Sequence, residues 1–188
     1  LNVVIDRSIR RESILGRSYC DHCKATLSAI DLIPVISFAT LGARCRYCKK
    51  KLSLQYPVVE TITGLLFVLT FLNLATQAQL SLLNIIYLFV MTSTVVVVAT
   101  VDIKFSLIPT TIVYVSALIS LFYNYFALPS ELFINHVFAA FLGTLFFALI
   151  VLFTRGRGMG QGDIIFAFFM GMALGLSNVT LAIFIAFL

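Results

Sequence analysis

Four cysteines and two of the aspartates are the side chains in this sequence whose types and spacing best suit chemistry. The cysteines form two C-x2-C pairs, Cys20-Asp-His-Cys23 and Cys45-Arg-Tyr-Cys48. Two intervening residues let a tight turn direct both sulfurs at one ion, and two such pairs are typical of a four-thiolate zinc site. Such a site has no open coordination position. We therefore expect a structural Zn²⁺ held by Cys20, Cys23, Cys45 and Cys48.

Other interpretations of the cysteines stay open at this point. Two disulfides would need an oxidising compartment, whereas the basic residues around the pairs favour the reducing cytoplasm. A thioredoxin-like redox pair is disfavoured because no βαβ pattern surrounds either motif. His22 could replace one thiolate, but we expect a histidine inside a C-x2-C turn to be a bystander.

Asp102 and Asp163 are 61 residues apart, and each lies where a long apolar stretch meets a short polar one. Two carboxylates that lie close together in a poorly hydrated site share a proton. The ionised carboxylate can then take a proton from water while the protonated one polarises a peptide carbonyl, which is general acid–base hydrolysis. Gly158, Gly160 and Gly162 precede Asp163 and would let another backbone approach it closely. A flexible loop between helices is the simpler interpretation of these glycines.

The composition requires that these residues be positioned by membrane helices. Of the 188 residues, 61% are hydrophobic and 11% are charged, and the mean hydropathy is +1.06. Soluble domains are near 45–50% apolar and about 25% charged. A soluble globular domain, a disordered tail and a collagen-like fibre are therefore excluded, and the chain is predicted to be an all-α polytopic membrane protein.

The apolar stretches predict about six transmembrane helices, since each crossing needs about 20 apolar residues. We expect residues 1–5 to be the remnant of a first helix, residues 1–56 to form a small cytoplasmic zinc-binding domain, and residues 57–188 to form the transmembrane domain. The chain would then end within the sixth crossing. The expected crossings after the cysteines are 57–75, 82–101, 109–127, 133–153, 164–176 and one that begins near Val179.

The distribution of charge predicts the orientation of these helices. Ten of the 13 Lys and Arg residues lie in residues 1–55, and the later ones lie near 102–108 and 154–163. The loops at 76–81, 128–132 and 177–178 contain none. Because basic loops stay in the cytoplasm, we expect the cysteine pairs, Asp102 and Asp163 on the cytoplasmic side of the membrane. The basic balance then reflects topology, with lipid and not nucleic acid as the partner.

Five blocks in order resemble the type IV prepilin peptidases, which are bacterial membrane aspartyl proteases of the GxGD type. They are Leu1-Asn-Val-Val-Ile-Asp-Arg7, the two cysteine pairs, Ser53-Leu-Gln-Tyr-Pro-Val-Val-Glu60, Asp102-Ile-Lys-Phe-Ser-Leu-Ile-Pro109 and Gly160-Gln-Gly-Asp163. The resemblance covers essentially the whole chain. The sequence departs from the family pattern at Lys104, where an acid is common, and at Thr110, where Asn or Asp is common.

The resemblance implies a function and a site. It implies a plasma-membrane endopeptidase that removes the leader of prepilins, pseudopilins or competence pilins, with Asp102 and Asp163 as the catalytic pair. Gly160, Gly162 and Glu60 would support the site. By resemblance alone, the enzyme would also methylate the new N-terminus with S-adenosylmethionine, since no motif for that cofactor is present.

Two other classes of function compete with the peptidase. Carboxylates in a membrane can relay protons or bind a cation in a transporter, although such residues lie near the midplane and no inverted repeat is evident. A non-enzymatic scaffold would use its zinc turns to recruit partners. For single residues the simpler interpretations are a helix-capping role for Glu60, packing or an interfacial place for His136, and ordinary helix packing for Gly171 and Gly175.

Overall fold

The computed structural model describes residues 1–10, 12–13, 15–77, 80–157 and 159–186. The chain divides into two compact units, Leu1–Leu80 and Ser81–Leu188. The predicted boundary follows residue 56, whereas the units divide after residue 80 because the first long helix groups with the cysteine segment. In the described residues the regular structure is helical, with two isolated antiparallel bridges, as the predicted all-α fold class requires.

The first unit contains one long helix and several short ones. A short 3-10 helix spans Ala29–Leu32, and the α-helices are α1 (Asn2–Arg10), α2 (Ile36–Thr40) and α3 (Gln55–Thr76). Helix α3 begins two residues before the expected start at Pro57, so Glu60 lies in its second turn. The simpler interpretation of Glu60 as a capping residue in the first turn is therefore wrong.

In its described residues the second unit contains four long helices: α4 (Leu82–Phe105), α5 (Thr110–Ala127), α6 (Ser130–Phe153) and α7 (Gln161–Ala186). Together with α3, five helices in the described part of the chain are long and apolar enough to cross a membrane. The sequence predicts about six. The difference arises at the end of the chain, in α7.

Helices α4 and α5 are joined by pairs of polar side chains buried between them. The hydroxyls of Tyr87 and Ser120 lie 2.9 Å apart, and those of Thr94 and Ser116 lie 2.7 Å apart. All four residues are buried. Polar groups in an apolar bundle need such partners, and each pair contributes about 0.6 kcal/mol on average. The pairing also fixes an antiparallel register, because Thr94 follows Tyr87 while Ser116 precedes Ser120.

Helices α6 and α7 approach closely through small residues. A Cβ on Gly171 would collide with the backbone of Ala139 and Ala140, and a Cβ on Gly143 would lie 3.5 Å from the carbonyl oxygen of Ala167. Small side chains at such positions let helix backbones pack tightly in a membrane. The expected packing role of Gly171 is confirmed.

Gly175 has a different role, because it breaks helix α7. Its φ of 73° and ψ of 176° lie in a region that essentially only glycine adopts. Helix α7 therefore consists of two helical stretches that meet at a kink at Gly175, close to the boundary predicted between the fifth and sixth crossings. The loop expected at 177–178 is wrong, because those residues are helical and the interruption falls at Gly175. Residues 187–188, within the expected sixth crossing, lie outside the described residues.

Side chains satisfy the backbone groups that this break releases. The carbonyl oxygen of Met172 accepts hydrogen bonds from Asn124 Nδ2 at 2.7 Å and from His136 Nδ1 at 2.9 Å. The backbone N–H of Leu176 donates to Asn135 Oδ1 at 3.0 Å. Because a carbonyl only accepts, His136 carries a proton on Nδ1. The expectation of a packed His136 is confirmed, and its partner is the freed carbonyl.

We predict that Gly175→Ala destabilises the protein by about 1–3 kcal/mol, because alanine is strained at this φ and ψ. The new Cβ would also lie 3.1 Å from both Asn135 Oδ1 and His136 Nε2. Thermal unfolding of the purified protein measures the effect. Gly64→Ala is the control, since Gly64 has no atoms within 4 Å of its Cβ position. Equal unfolding temperatures for both variants would contradict the prediction.

Candidate active site and metal centre

Asp102 lies in the last turn of α4, which continues to Phe105 and so extends beyond the expected end of that crossing. The residue is exposed. Its backbone carbonyl accepts a hydrogen bond from the N–H of Ser106 at 2.7 Å. Ser106 has a left-handed φ of 51°, which ends the helix. Asp102 therefore lies immediately before the short connection that leads to α5.

Asp163 lies in the first turn of α7. It is partly buried, and its Oδ2 accepts a hydrogen bond from the backbone N–H of Gly160 at 2.9 Å. A carboxylate at this position satisfies a helix-terminal donor and interacts favourably with the positive end of the helix dipole. The G-x-G-D segment is thus an ordered helix start in which Asp163 binds the backbone three residues before it.

The contacts within the second unit bring both acids to the same end of the bundle. Asp102 lies eight residues after Thr94 and Ile108 lies eight residues before Ser116, the partner of Thr94. For Asp102 the displacement is about 12 Å along α4, and for Ile108 it comprises about 9 Å of α5 and two residues of the connection. Gly162 in turn packs against Ile108, since a Cβ on Gly162 would lie 2.8 Å from Ile108 Cβ. Asp102, Ile108 and Asp163 therefore lie at similar depth.

The two glycines of the motif have different surroundings. Gly162 packs closely against Ile108, which lies in the connection between α4 and α5. The Cβ position of Gly160 is less crowded, with Asp163 Oδ2 nearest at 3.4 Å. Gly158, which the sequence groups with them, lies outside the described residues.

A cavity of about 470 Å³ lies at the connection between α6 and α7. It is mainly apolar, and it borders the start of α7 only two residues from Asp163. Its described lining residues are Val151, Leu152, Arg155, Gly156, Met159, Gly160 and Gln161. The cavity gives the end of the bundle that carries the acids a concave surface.

Glu60 connects separate parts of the first unit. Its Oε2 accepts a hydrogen bond from the backbone N–H of Val35 at 2.8 Å, and its Oε1 lies 3.5 Å from Asn2 Nδ2. Asn2 Nδ2 also donates to the carbonyl of Tyr56 at 3.1 Å. Glu60 thus holds α1 and the segment before α2 against α3. Its expected role in supporting the active site stays a prediction.

The four cysteine sulfurs converge on one point, as the spacing predicts. The Sγ atoms of Cys20, Cys23, Cys45 and Cys48 all lie within 4.8 Å of one another, and those of Cys20 and Cys48 are 3.9 Å apart. A tetrahedral ion with Zn–S bonds of about 2.3 Å separates its sulfurs by about 3.8 Å. The cysteines are free. The donor set and the spacing therefore fit a tetrahedral metal ion.

The two C-x2-C turns are structural repeats of each other, which the sequence analysis missed. In each turn the first cysteine donates its N–H to the carbonyl five residues ahead, at 2.9 Å in both cases, and its own carbonyl accepts from a lysine N–H. Those lysines, Lys24 and Lys49, have left-handed φ values of 57° and 58°. The shared pattern C-x-x-C-K-x-x-L, at Cys20–Leu27 and Cys45–Leu52, is the signal that predicts the repeat.

The backbone of the first turn favours a thiolate at Cys20. Burial raises the pKa of this thiol. Hydrogen bonds from the backbone N–H groups of Cys23 and His22, together with those to the thiols of Cys45 and Cys23, lower it by more, so that the pKa falls to about 7. Metal ligation requires a deprotonated cysteine. The turn therefore prepares Cys20 for ligation.

Arg7 is a second residue whose role the sequence analysis missed. Its buried guanidinium donates hydrogen bonds to the carbonyls of Ser13, Leu15 and Arg17 at 3.0, 3.2 and 2.8 Å. These donors fold the irregular segment after α1 around one side chain. The advance signal is the place of Arg7 just beyond an apolar stretch, with Asp6 between them.

Two family models together match most of the chain. Residues 1–74 match the Bacterial Peptidase A24 N-terminal domain, and residues 88–188 match the Type IV leader peptidase family. The chain belongs to the type IV leader peptidase family. No solved structure gives a significant match.

Curated relatives agree with this family. A prepilin leader peptidase/N-methyltransferase of Bacillus subtilis is 31% identical over 181 residues, which are 93% of this chain and 68% of the relative. One of Stutzerimonas stutzeri is 31% identical over 155 residues, or 79% of this chain and 51% of the relative. A type 4 prepilin-like proteins leader peptide-processing enzyme of Escherichia coli is 47% identical over 55 residues, or 29% and 20%.

These comparisons confirm the resemblance to prepilin peptidases. They support leader-peptide cleavage by a membrane enzyme that also has relatives named as N-methyltransferases, and they give no support to a transporter. The chain spans only 51% of the Stutzerimonas relative, so the activity of a whole leader peptidase comes to this chain as a proposal.

We predict that Gly162→Ala lowers the free energy of unfolding by about 1–3 kcal/mol, because the added methyl group overpacks a tight contact. The clash is with Ile108, 2.8 Å from the new Cβ. Gly160→Ala is the matched control, since its nearest contact is 3.4 Å away. Thermal unfolding would compare the two, and an equal loss in both would refute the assignment of the close contact to Gly162.

We predict that the purified protein binds one metal ion per chain and that Cys20→Ser loses it. The reason is that a tetrahedral site with three thiolates lacks a ligand. Elemental analysis gives the metal content, and thermal unfolding gives the accompanying loss of stability. His22→Ala should keep the metal, because His22 is exposed and lies outside the group of four sulfurs. A metal-free parent protein would disprove the prediction.

Proposed function

We propose that this chain is the catalytic portion of a membrane endopeptidase that cleaves the leader from prepilins or pseudopilins, with Asp102 and Asp163 as the catalytic pair. The observation that carries the proposal is the packing of Gly162 against Ile108. This contact joins the segment after Asp102 to the segment before Asp163. Both acids then border the same end of the second unit.

The proposed reaction is hydrolysis without a covalent intermediate. One carboxylate takes a proton from water, and the oxygen of that water attacks the scissile carbonyl carbon while the protonated carboxyl donates a hydrogen bond to the carbonyl oxygen. The tetrahedral intermediate then breaks its C–N bond as a proton passes to the leaving amine.

The surroundings of Asp163 support this role. Its Oδ2 is fixed by the N–H of Gly160 at 2.9 Å, which orients the carboxylate at the helix start. The neighbouring cavity of about 470 Å³ is mainly apolar and borders Gly160 and Gln161. It would receive the extended backbone of the substrate near the cleavage point. The apolar helix of the substrate would remain in the bilayer.

The location follows from charge. The basic segment at the start of the chain and the connections with Lys104, Arg155 and Arg157 favour the cytoplasmic side of the bacterial plasma membrane. For the site of the four cysteines we propose Zn²⁺ with a structural role, because four thiolate ligands leave no open coordination position. Methylation with S-adenosylmethionine follows only from the resemblance and from the names of relatives, and no residue is assigned to it.

We predict that Asp102→Asn and Asp163→Asn each reduce prepilin cleavage by about 10²-fold to 10⁴-fold, which is the usual contribution of a general acid or base. The assay incubates membranes containing the protein with candidate prepilins and measures the mass of the new N-terminus. With S-adenosylmethionine added, the same spectrum reports methyl transfer.

Glu131→Gln is the control for this experiment, because Glu131 is an exposed carboxylate at the start of α6. It should cleave like the parent. Unfolding temperatures within the range of the parent would show that the aspartate variants are folded. Retained processing in either aspartate variant would reject the two-carboxylate mechanism.

A further inference from the structure

An apolar segment lies exposed between the two cysteine turns. Residues 29–41 have the sequence Ala-Ile-Asp-Leu-Ile-Pro-Val-Ile-Ser-Phe-Ala-Thr-Leu. Ile30 and Ile36 are 64% and 60% exposed, and three further apolar side chains of the segment are at least 40% exposed. The exposed apolar residues of the 29–41 segment are Ile30, Leu32, Ile33, Val35 and Ile36. Contiguous exposed apolar residues of this kind mark an interaction surface.

The only charged residue of the 29–41 segment is withdrawn from the surface. The side chain of Asp31 is 3% exposed, and its Oδ1 pairs with Arg46 Nε at 2.6 Å. Its Oδ2 accepts hydrogen bonds from the hydroxyl of Ser28 at 2.8 Å and from the Ser28 N–H at 3.1 Å. The segment therefore presents apolar side chains and no exposed carboxylate.

Glu60 fixes the height of this segment along helix α3. The backbone N–H of Val35 donates to Glu60 Oε2 at 2.8 Å. Glu60 lies five residues after the start of α3, or about 8 Å along the helix axis. Because α3 is long and apolar enough to cross a membrane, we infer that a backbone group bonded to its second turn lies at the depth of the lipid headgroups.

The backbone at Val35 is strained in a way that this contact explains. Val35 has a φ of 61° and a ψ of −46°, and a positive φ is an outlier for a β-branched residue. Such a conformation persists only where its surroundings enforce it. The bond to Glu60 provides that enforcement, and Val35 and Ile36 are both exposed beside the start of α3.

Cations next to the segment complement an anionic surface. Arg46 joins the 29–41 segment to the second cysteine turn through Asp31. The same turn carries four further exposed cations, which are Arg44, Lys49, Lys50 and Lys51. Lysines and arginines near a membrane surface are attracted to anionic headgroups.

We propose that the 29–41 segment inserts its exposed side chains into the membrane interface at the leaflet where α3 begins, with anionic phospholipid as its partner. Exposed apolar side chains reach 5–10 Å into such an interface, where they bury apolar area while nearby cations contact headgroups. The segment anchors the cysteine turns to the lipid surface through a contact separate from the membrane-spanning helices.

The absence of tryptophan from the sequence allows a direct test. Ile36→Trp and Ile30→Trp each introduce a single fluorophore into the full chain, which is then reconstituted in phosphatidylcholine vesicles containing phosphatidylglycerol. We expect a blue-shifted emission maximum. We also expect loss of most of the emission when the lipids are brominated in the upper part of the acyl chains. His22→Trp, at an exposed position of the first cysteine turn, should emit as in water and resist quenching.

Two results would overturn the insertion, and a third would overturn the anionic partner. One is water-like, unquenched emission from both Ile36→Trp and Ile30→Trp. The other is emission that shifts only when a prepilin is added, which would assign the surface to a protein partner. Replacing phosphatidylglycerol with phosphatidylcholine should reduce quenching, and no change on that replacement would contradict the anionic partner. The normal unfolding temperature of each variant is checked first.

Discussion

The contact between Gly162 and Ile108 is the constraint on which the candidate active site depends. Because Gly162 has no side chain, the start of α7 can pack against the connection between α4 and α5. A Cβ at Gly162 would lie only 2.8 Å from Ile108 Cβ. Asp163 follows Gly162 directly, and Asp102 lies in the last turn of the helix before the connection. Acids far apart in the sequence are thereby brought to one end of the bundle. Polar pairs such as Thr94 with Ser116 then maintain the register that keeps them there.

Much of this arrangement could be predicted from the sequence because lipid restricts the alternatives. Apolar stretches of sufficient length must be helical in a membrane, so α3 to α6 were predicted nearly as observed. The four cysteines were predicted to converge because C-x2-C turns have limited geometry. The prediction that Asp102 and Asp163 lie at the same membrane border followed from counting crossings, and the Gly162 contact is consistent with it.

The features that were missed depend on tertiary contacts. A glycine within an apolar stretch does not distinguish tight packing at Gly171 from a break at Gly175, because the difference lies in φ and ψ and in the side chains of α5 and α6. Ser177 and Asn178 resembled a loop by composition, yet they are helical. Glu60 resembled a capping residue because the helix was expected to start at Pro57, whereas it starts at Gln55. The hydrogen-bond partner of Glu60, Val35, lies 25 residues earlier in the chain.

The break at Gly175 ends the helical stretch of α7 that begins beside Asp163. Gly175 lies twelve positions after Asp163, which is about 18 Å along the helix at 1.5 Å per residue. A change of about 10° in direction at the glycine would displace the carboxylate by about 3 Å, roughly the length of one hydrogen bond. Since Met172 is held by donors from both α5 and α6, side chains remote from Asp163 fix the position of the helical stretch that carries it.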